Sequence, residues 1–172
     1  LGEDEKMVKL VGCPRIDLVS EILKKNFNKI PNNLFDFGVG EQIDLSKNFF
    51  LVSFHAVTSE FGNAQGQMMN IFEALKLFDY QSIILWPNAD AGSDDIARAI
   101  RKWREKKLDK NIYFFKNLEI NDYIYLMSKT SCLIGNSSSG IREGAFIGTP
   151  VVNIGTRQSN RERGKNVIDT KY

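Results

Sequence analysis

Apolar runs of strand length alternate along the chain with segments in which apolar residues recur every three or four positions. A short apolar run is typical of a strand that is buried on both faces, whereas the longer spacing is typical of an amphipathic helix. Their alternation predicts βαβ units, and therefore an α/β fold with a parallel sheet and helices on both faces. The predicted strands are residues 49–54, 82–86, 112–115, 132–134, 151–154 and 167–169.

The segments between these strands carry the helical spacing. We predict helices at residues 64–78, 94–106, 120–128 and 141–146. Asp94 and Asp95 place negative charge at the start of the second of these helices, where the helix dipole favours it.

The first 45 residues follow a different pattern. They combine a lone predicted strand, a turn, an amphipathic helix and a polar loop, at residues 8–11, 12–14, 16–27 and 31–33. We therefore separate a leading segment, residues 1–45, from the alternating domain, residues 46–172. Because the sequence ends directly after a predicted strand with no covering helix, we expect it to be part of a larger enzyme.

Composition narrows the class of protein. With 172 residues, 42% hydrophobic and 26% charged, the chain suits one globular domain that removes about 70% of its unfolded surface from water. A net charge of +2 gives no basis for nucleic-acid binding, and no apolar stretch approaches the ~20 residues of a membrane span. Two cysteines, Cys13 and Cys132, argue against a disulfide scaffold or a zinc site. We expect a cytoplasmic protein without a metal ion.

A glycine- and serine-rich loop, Gly135-Asn136-Ser137-Ser138-Ser139-Gly140, connects a predicted strand to a predicted helix. Backbone amides and serine hydroxyls at the start of a helix can bind a phosphate group. Glu143 follows within one turn, where a carboxylate would repel phosphate but could accept hydrogen bonds from a ribose diol. The alternative is that the serines and Glu143 form a helix cap, although the residue three positions before Glu143 is Gly140, which has no hydroxyl.

Other polar residues directly follow predicted strands, and ligands of open parallel sheets bind at the carboxyl ends of the strands. His55 follows the first strand, and Arg157 offers a planar guanidinium for a diphosphate after residues 151–154. Asn88 and Asp90 come after the second strand, and Leu118 could present an apolar face to a planar base. The alternatives are a hydrogen-bonded core histidine at position 55 and an ordinary turn at positions 88–93.

Four motifs in this order resemble the hydrolysing UDP-N-acetylglucosamine 2-epimerases: residues 55–58 (HAVT), 87–93 (PNADAGS), 135–143 (GNSSSGIRE) and 155–158 (GTRQ). This family includes bacterial enzymes of sialic and legionaminic acid synthesis and the epimerase half of a bifunctional animal enzyme, and Gly12-Cys13-Pro14 fits its pattern too. The resemblance covers nearly the whole chain. It implies a GT-B-like enzyme, in which residues 46–172 form most of the carboxyl-terminal, Rossmann-like nucleotide-binding domain and residues 1–45 an interdomain segment.

The resemblance also implies a role for each site residue. Seven residues would hold the nucleotide: Ser137 and Ser138 at the diphosphate, Glu143 at the ribose, Arg157 and His55 at the phosphates, and Asn88 and Leu118 along the rest of the nucleotide. The family removes the sugar C2 proton as the nucleoside diphosphate leaves, and water then adds to give N-acetylmannosamine. Carboxylates of the amino-terminal domain carry most of the proton transfers, so we expect this chain alone to be inactive, with His55 its one catalytic residue.

The resemblance further implies that the partner is a UDP-sugar substrate, that no cofactor is needed, and that subunits associate through the amino-terminal domain. Ser139 stands where the animal enzymes have Cys and the non-hydrolysing relatives Gly, a small change. Asp94 and Asp95 stand where animal members are more basic, so we expect no feedback inhibition by activated sialic acid.

Two other functions stay open at this point. A GT-B glycosyltransferase also binds a nucleotide sugar with such a domain, and a non-catalytic nucleotide-sensing module would bind nucleotide without turning over sugar. A dinucleotide-dependent dehydrogenase is disfavoured because no G-x-G-x-x-G follows a strand. The sequence leaves open whether the base is uracil or guanine, and which N-acetylated sugar is attached.

Overall fold

A single sheet of seven strands organises the chain. A computed structural model describes residues 2–25, 30–31, 34–106, 108 and 110–172. The strands are β1 (Gly38–Gly40), β2 (Phe49–Ser53), β3 (Gln81–Leu85), β4 (Ile112–Phe115), β5 (Cys132–Gly135), β6 (Val151–Ile154) and β7 (Val167–Thr170).

The strands lie in the order β1-β4-β3-β2-β5-β6-β7. All neighbours are parallel except β1, which pairs antiparallel with β4. The chain winds outward from the central strand β2, first toward β4 and then back toward β7, so the strand order reverses between β2 and β5. The α/β class and all six predicted strands are confirmed, with ends that differ by no more than one residue.

Six α-helices accompany the sheet in the part of the chain that the structure describes: α1 (Pro14–Lys24), α2 (Ala64–Leu75), α3 (Ser93–Glu105), α4 (Ile120–Lys129), α5 (Ser138–Ile141) and α6 (Glu143–Ile147). Helix α2 ends three residues before its predicted end because Leu77 and Phe78 donate to carbonyls three positions back, which tightens the last turn. The prediction of one helix at residues 141–146 is wrong. The helix begins at Ser138 and is interrupted at Arg142, whose backbone (φ −94°, ψ −73°) departs from helical geometry.

The leading segment differs most from its prediction. The predicted strand at residues 8–11 is wrong: these residues form no regular structure, and Leu10 and Val11 are exposed. Strand β1 forms further on and was not predicted, because three residues with a glycine at each end carry no strand signal. The predicted helix 16–27 begins earlier, with Pro14 in its first turn, and ends at Lys24. Its predicted end at Phe27, and the predicted loop residues Asn32 and Asn33, lie outside the described residues.

The helices cover both faces of the sheet, as predicted. On one face, α2 and α3 bury Phe72 and Trp103, whose rings stack 4.7 Å apart against Ile84. On the other face, α4 packs against Leu51 and Phe115 of the sheet. The sheet is therefore packed between two apolar layers. This packing fixes the position of the edge that the carboxyl ends of the parallel strands form.

Helix α1 packs on α4 and α6 through Val19, Ile22 and Ile124. It therefore packs against helices of the alternating domain in a small apolar cluster of its own, and β1 shares the sheet. The division into residues 1–45 and 46–172 stays a prediction. In the ranges described, no helix combines the length and apolarity that crossing a bilayer requires.

The apolar layer that α2 and α3 form on the sheet gives a stability prediction. Phe72→Ala removes a fully buried ring that stacks on Trp103, and we expect the free energy of unfolding to fall by about 3 to 5 kcal/mol. Leu77→Ala is the control, because Leu77 follows the same helix and is 84% exposed, so a change within about 0.5 kcal/mol is expected. Urea denaturation followed by circular dichroism measures both. Equal midpoints for the two variants would contradict this account of the core.

Candidate functional site

The carboxyl ends of the central strands open into one cavity of about 350 Å³. Loops after β2, β3, β4 and β5 form its walls. Six of the seven predicted site residues line this cavity: His55, Asn88, Leu118, Ser137, Ser138 and Glu143. The structure thus brings together residues that lie up to 88 positions apart in the sequence.

The serine loop leaves the sheet at Gly135, whose φ is +139°. A Cβ atom at this position would lie 2.1 Å from the carbonyl oxygen of Ser53, so only glycine allows β5 and β2 to stay this close. The Ser137 hydroxyl then caps α5 by accepting from the Ser139 N–H. Helix α5 has only four residues, so its dipole is weaker than the sequence suggested. Hydroxyl and N–H donors must therefore supply more of any anion binding.

Hydrogen bonds between hydroxyl groups connect the serine loop to helix α4. The Ser137 and Ser139 hydroxyl oxygens are 2.8 Å apart, and the Tyr123 hydroxyl of α4 lies 2.5 Å from Ser139 Oγ. Burial raises the pKa of Tyr123 to about 12, so its hydroxyl keeps its proton at neutral pH. Sequence reasoning singled out neither Tyr123 nor this role of Ser139, since the tyrosine reads as an ordinary residue of an amphipathic helix.

Asn136 fixes His55 relative to the serine loop. The Asn136 side chain is fully buried; its Oδ1 accepts from the His55 N–H at 2.8 Å, and its Nδ2 donates to the His55 carbonyl at 2.8 Å. These two bonds join the ends of β2 and β5. Asn136 was predicted only as part of a motif, although an asparagine directly after a strand was the available signal.

The imidazole of His55 is buried and uncharged. Burial, and then the positive charge of Arg157, lowers its pKa to about 4, while Asp90 opposes the shift. Its Nε2 lies 3.4 Å from Ser53 Oγ, and its Nδ1 is buried with no hydrogen-bond partner. At neutral pH the ring is therefore a neutral group with one unused nitrogen, and it carries no positive charge for a phosphate.

Glu143 is 1% exposed although it lines the cavity. Its Oε1 accepts from Arg15 Nε at 3.0 Å, and its Oε2 lies 3.5 Å from Arg142 Nε. Within the described residues, no backbone N–H donates to this carboxylate, so the capping alternative has no hydrogen bond to support it. Oε2 is buried without a hydrogen-bond partner. Such an atom suits a ligand hydroxyl, since an unmade buried hydrogen bond is costly.

Arg157 lies beside the cavity, outside its lining. Its Nη1 donates to the Asn136 carbonyl at 3.3 Å, and its Nη2 lies 3.7 Å from Asp90 Oδ2. Asp90 also closes the predicted turn, in which its carbonyl accepts from the Ser93 N–H at 3.0 Å. The guanidinium thus reaches the Asn136 backbone of the serine loop, and the Asp90 carboxylate partly neutralises its charge.

Three cations line the cavity that the sequence did not single out: Arg15, Lys116 and Arg142. Arg15 lies 128 positions before Glu143, and charged residues outside a motif look like ordinary surface. With one carboxylate among them, these cations suit an anionic ligand that also carries neutral hydroxyls. Among the described residues, no group of three or more His, Cys, Asp or Glu side chains is placed to bind a metal ion.

The chain is similar in sequence and fold to known epimerases. It is 28% identical over its full length to the UDP-N-acetylglucosamine 2-epimerase of Neisseria meningitidis serogroup B, and covers 42% of that protein. It is 34% identical over 99% of its length to the GDP/UDP-N,N'-diacetylbacillosamine 2-epimerase (hydrolyzing) of Campylobacter jejuni, of which it covers 43%. The chain therefore spans about two fifths of the length of these relatives.

The fold matches the crystal structure of the N. meningitidis UDP-GlcNAc 2-epimerase bound to UDP-GlcNAc, with a TM-score of 0.67 and 18% identity. The match covers 88% of this chain and 39% of that structure. The family model for UDP-N-acetylglucosamine 2-epimerase matches residues 1–172, the whole sequence. The chain therefore belongs to the UDP-N-acetylglucosamine 2-epimerase family, and the resemblance of its ordered motifs to the hydrolysing members is confirmed.

Proposed function

We propose that this chain is the nucleotide-holding, carboxyl-terminal part of an epimerase that converts UDP-N-acetylglucosamine and water to N-acetylmannosamine and UDP. The observation that carries the proposal is the presence of two unlike groups in one cavity: the serine loop, and the buried carboxylate of Glu143, whose Oε2 accepts no hydrogen bond. A nucleoside diphosphate offers phosphates to the first and ribose hydroxyls to the second. Both relatives described above are named as 2-epimerases of nucleotide sugars, which supports the same substrate class.

The lining residues suggest how the nucleotide divides between subsites. Ser137 and Ser138, with Arg157 nearby, would take the diphosphate, and Glu143 the ribose. Leu118 and the partly buried Trp86 supply apolar surface for a flat base, with Asn88 beside them. In this arrangement the diphosphate faces hydrogen-bond donors, the ribose hydroxyls face a carboxylate, and the flat base faces apolar side chains.

The chemical role of such a site is to stabilise a leaving group. The bond between sugar C1 and the diphosphate oxygen breaks while a base removes the C2 proton, and negative charge grows on the diphosphate. Donors fixed by the sheet bind this charge more strongly in the transition state than in the ground state. Water then adds across the C1–C2 double bond of the glycal.

His55 is the residue of this chain that we propose to take part in the reaction. Because its ring is neutral and has an unused nitrogen, it can donate one hydrogen bond to the departing oxygen. The groups that move the C2 proton would lie in an amino-terminal domain outside this chain. We further propose a cytoplasmic protein that needs no cofactor, binds neither nucleic acid nor membrane, and associates through that domain.

Product analysis tests the reaction. Full-length protein incubated with UDP-N-acetylglucosamine and no acceptor should release N-acetylmannosamine and UDP, whereas the 172-residue chain should bind UDP and release no sugar. A glycosyltransferase would leave the substrate unconverted, and a sensing module would bind it without turnover. Turnover by the purified chain would show that the proton-transfer groups lie within these residues.

The ribose subsite gives a second prediction. Glu143→Gln replaces a charged acceptor by a neutral one, so we expect UDP binding to weaken by about 1.5 to 3 kcal/mol. Titration calorimetry with 2′,3′-dideoxy-UDP is the control, because this analogue lacks the hydroxyls that Glu143 would accept from. The wild-type chain should already bind the analogue more weakly, and the substitution should change that affinity little. Equal affinity of the wild type for both ligands would remove Glu143 from the ribose.

The diphosphate subsite gives a third. Arg157→Ala should weaken UDP by about 1.5 to 3 kcal/mol, because it removes hydrogen bonds between charged groups. Asp90→Asn is the matched variant: it removes the carboxylate 3.7 Å from the guanidinium, so UDP affinity should hold or rise. An unchanged dissociation constant for Arg157→Ala would place this residue outside the site.

The single histidine makes a fourth prediction simple to measure. In the free chain, NMR titration should show His55 uncharged from pH 7 down to a pKa of about 4. Bound UDP should raise this pKa, because a nearby dianion favours the charged imidazole. The sign follows from the cause: burial disfavours the imidazolium, whereas the phosphates stabilise it. A titration curve that UDP leaves in place would separate His55 from the phosphates.

A further inference from the structure

The Glu143 carboxylate depends on a single hydrogen-bonding residue. A carboxylate that is 1% exposed has lost almost all of its hydration and needs a charged partner. Among the described residues, its only hydrogen bond comes from Arg15 Nε at 3.0 Å, since Arg142 comes no closer than 3.5 Å. Tyr123 cannot supply a positive charge, because its hydroxyl is neutral below a pKa of about 12, a value that burial and then the Glu143 charge help to raise.

The helix that carries Arg15 is held in place by buried packing. Arg15 is the second residue of α1, directly after Pro14, and that helix is anchored by the buried side chains of Val19 and Ile22 against Ile124 of α4. The Arg15 side chain is 42% exposed and lines the same cavity as Glu143. The helix thus fixes the backbone from which the guanidinium reaches the carboxylate, although the two residues lie 128 positions apart.

The two carboxylate oxygens have different surroundings. Oε1 is bonded to Arg15, whereas Oε2 is buried and accepts no hydrogen bond. A guanidinium that holds one oxygen fixes the rotation of the whole carboxylate, and therefore the direction in which the other oxygen can accept. A ligand hydroxyl at Oε2 would satisfy an acceptor that is already desolvated, at no further cost in hydration.

We propose that Arg15 is a positioning residue for ribose binding, which orients Glu143 so that its second oxygen accepts from the ribose hydroxyls. This inference rests on the proposed function, because it takes the ligand of the cavity to be a ribonucleotide. Arg15 acts through Glu143 and need not touch the ligand. Lysine would keep the charge at this position but lacks the planar group that sets the carboxylate's orientation.

A thermodynamic cycle with two ligands tests the proposal. Binding of UDP and of 2′,3′-dideoxy-UDP is measured by calorimetry for the wild-type chain, Arg15→Ala, Arg15→Lys, Glu143→Gln and the double variant Arg15→Ala/Glu143→Gln. We expect Arg15→Ala to weaken UDP roughly tenfold, near the lower end of the effect of a hydrogen bond to a charged group, and to leave dideoxy-UDP nearly unchanged. In the Glu143→Gln background the same substitution should have little further effect, and Arg15→Lys should restore part of the loss.

Each other outcome has a definite meaning. Equal weakening of both ligands, also in the Glu143→Gln background, would show that Arg15 contacts the phosphates directly and would overturn the positioning role. Unchanged UDP affinity in Arg15→Ala would overturn it as well. Failure of the wild-type chain to bind UDP at all would instead reject the proposed function, and the inference with it.

Two controls separate positioning from folding. Arg101→Ala removes an exposed arginine of α3, outside the cavity, and should leave both affinities unchanged. Circular dichroism checks that each variant is folded. If Arg15→Ala does not fold, Arg15→Gln and Arg15→Lys provide the comparison, since both keep a donor on a long side chain, and the loss should still be confined to the ligand with ribose hydroxyls.

Discussion

The two hydrogen bonds between the Asn136 side chain and the His55 backbone are the constraint on which the site depends. Both bonds are 2.8 Å long, and the asparagine is fully buried, so water does not compete for them. They fix the ends of β2 and β5, where the strand order reverses and a crevice opens. They tie the start of the serine loop to His55, and the carbonyl of the same Asn136 accepts from Arg157.

The charges around the cavity are arranged so that each buried one has a partner. Glu143 is paired with Arg15. His55 needs no charged partner, because its pKa of about 4 leaves the buried ring neutral at neutral pH. Arg15 and Arg142, two of the cations that line the cavity, are more exposed than the Glu143 carboxylate with which they pair, and so remain open to a ligand. The result is a pocket lined by three cations and a single carboxylate.

Patterns within short stretches of the sequence predicted those strands and site residues whose positions local interactions determine. The six parallel strands were predictable because each is an apolar run. Six of the seven predicted site residues lie in one cavity because the segments that carry them leave the sheet at the carboxyl ends of those strands. β1 was missed because its three residues gain their structure from pairing with β4, and the strand at residues 8–11 was wrong because its apolar side chains find no partner in the fold. Arg15 and Tyr123 were missed for the same reason: their roles come from contacts across long stretches of sequence, which no local spacing encodes.

Strand β1 also affects the tendency of the protein to self-associate. An unpaired edge strand presents N–H and C=O groups to which another chain can add, and this is a common route to aggregation. Pairing with β1 occupies the outer edge of β4, while β1 itself is only three residues long and bounded by Gly38 and Gly40. At the opposite end, the outer strand β7 is four residues long and carries Asp169, which is paired with Arg163. The sheet therefore ends on both sides in short strands, which limits its growth by addition of further chains.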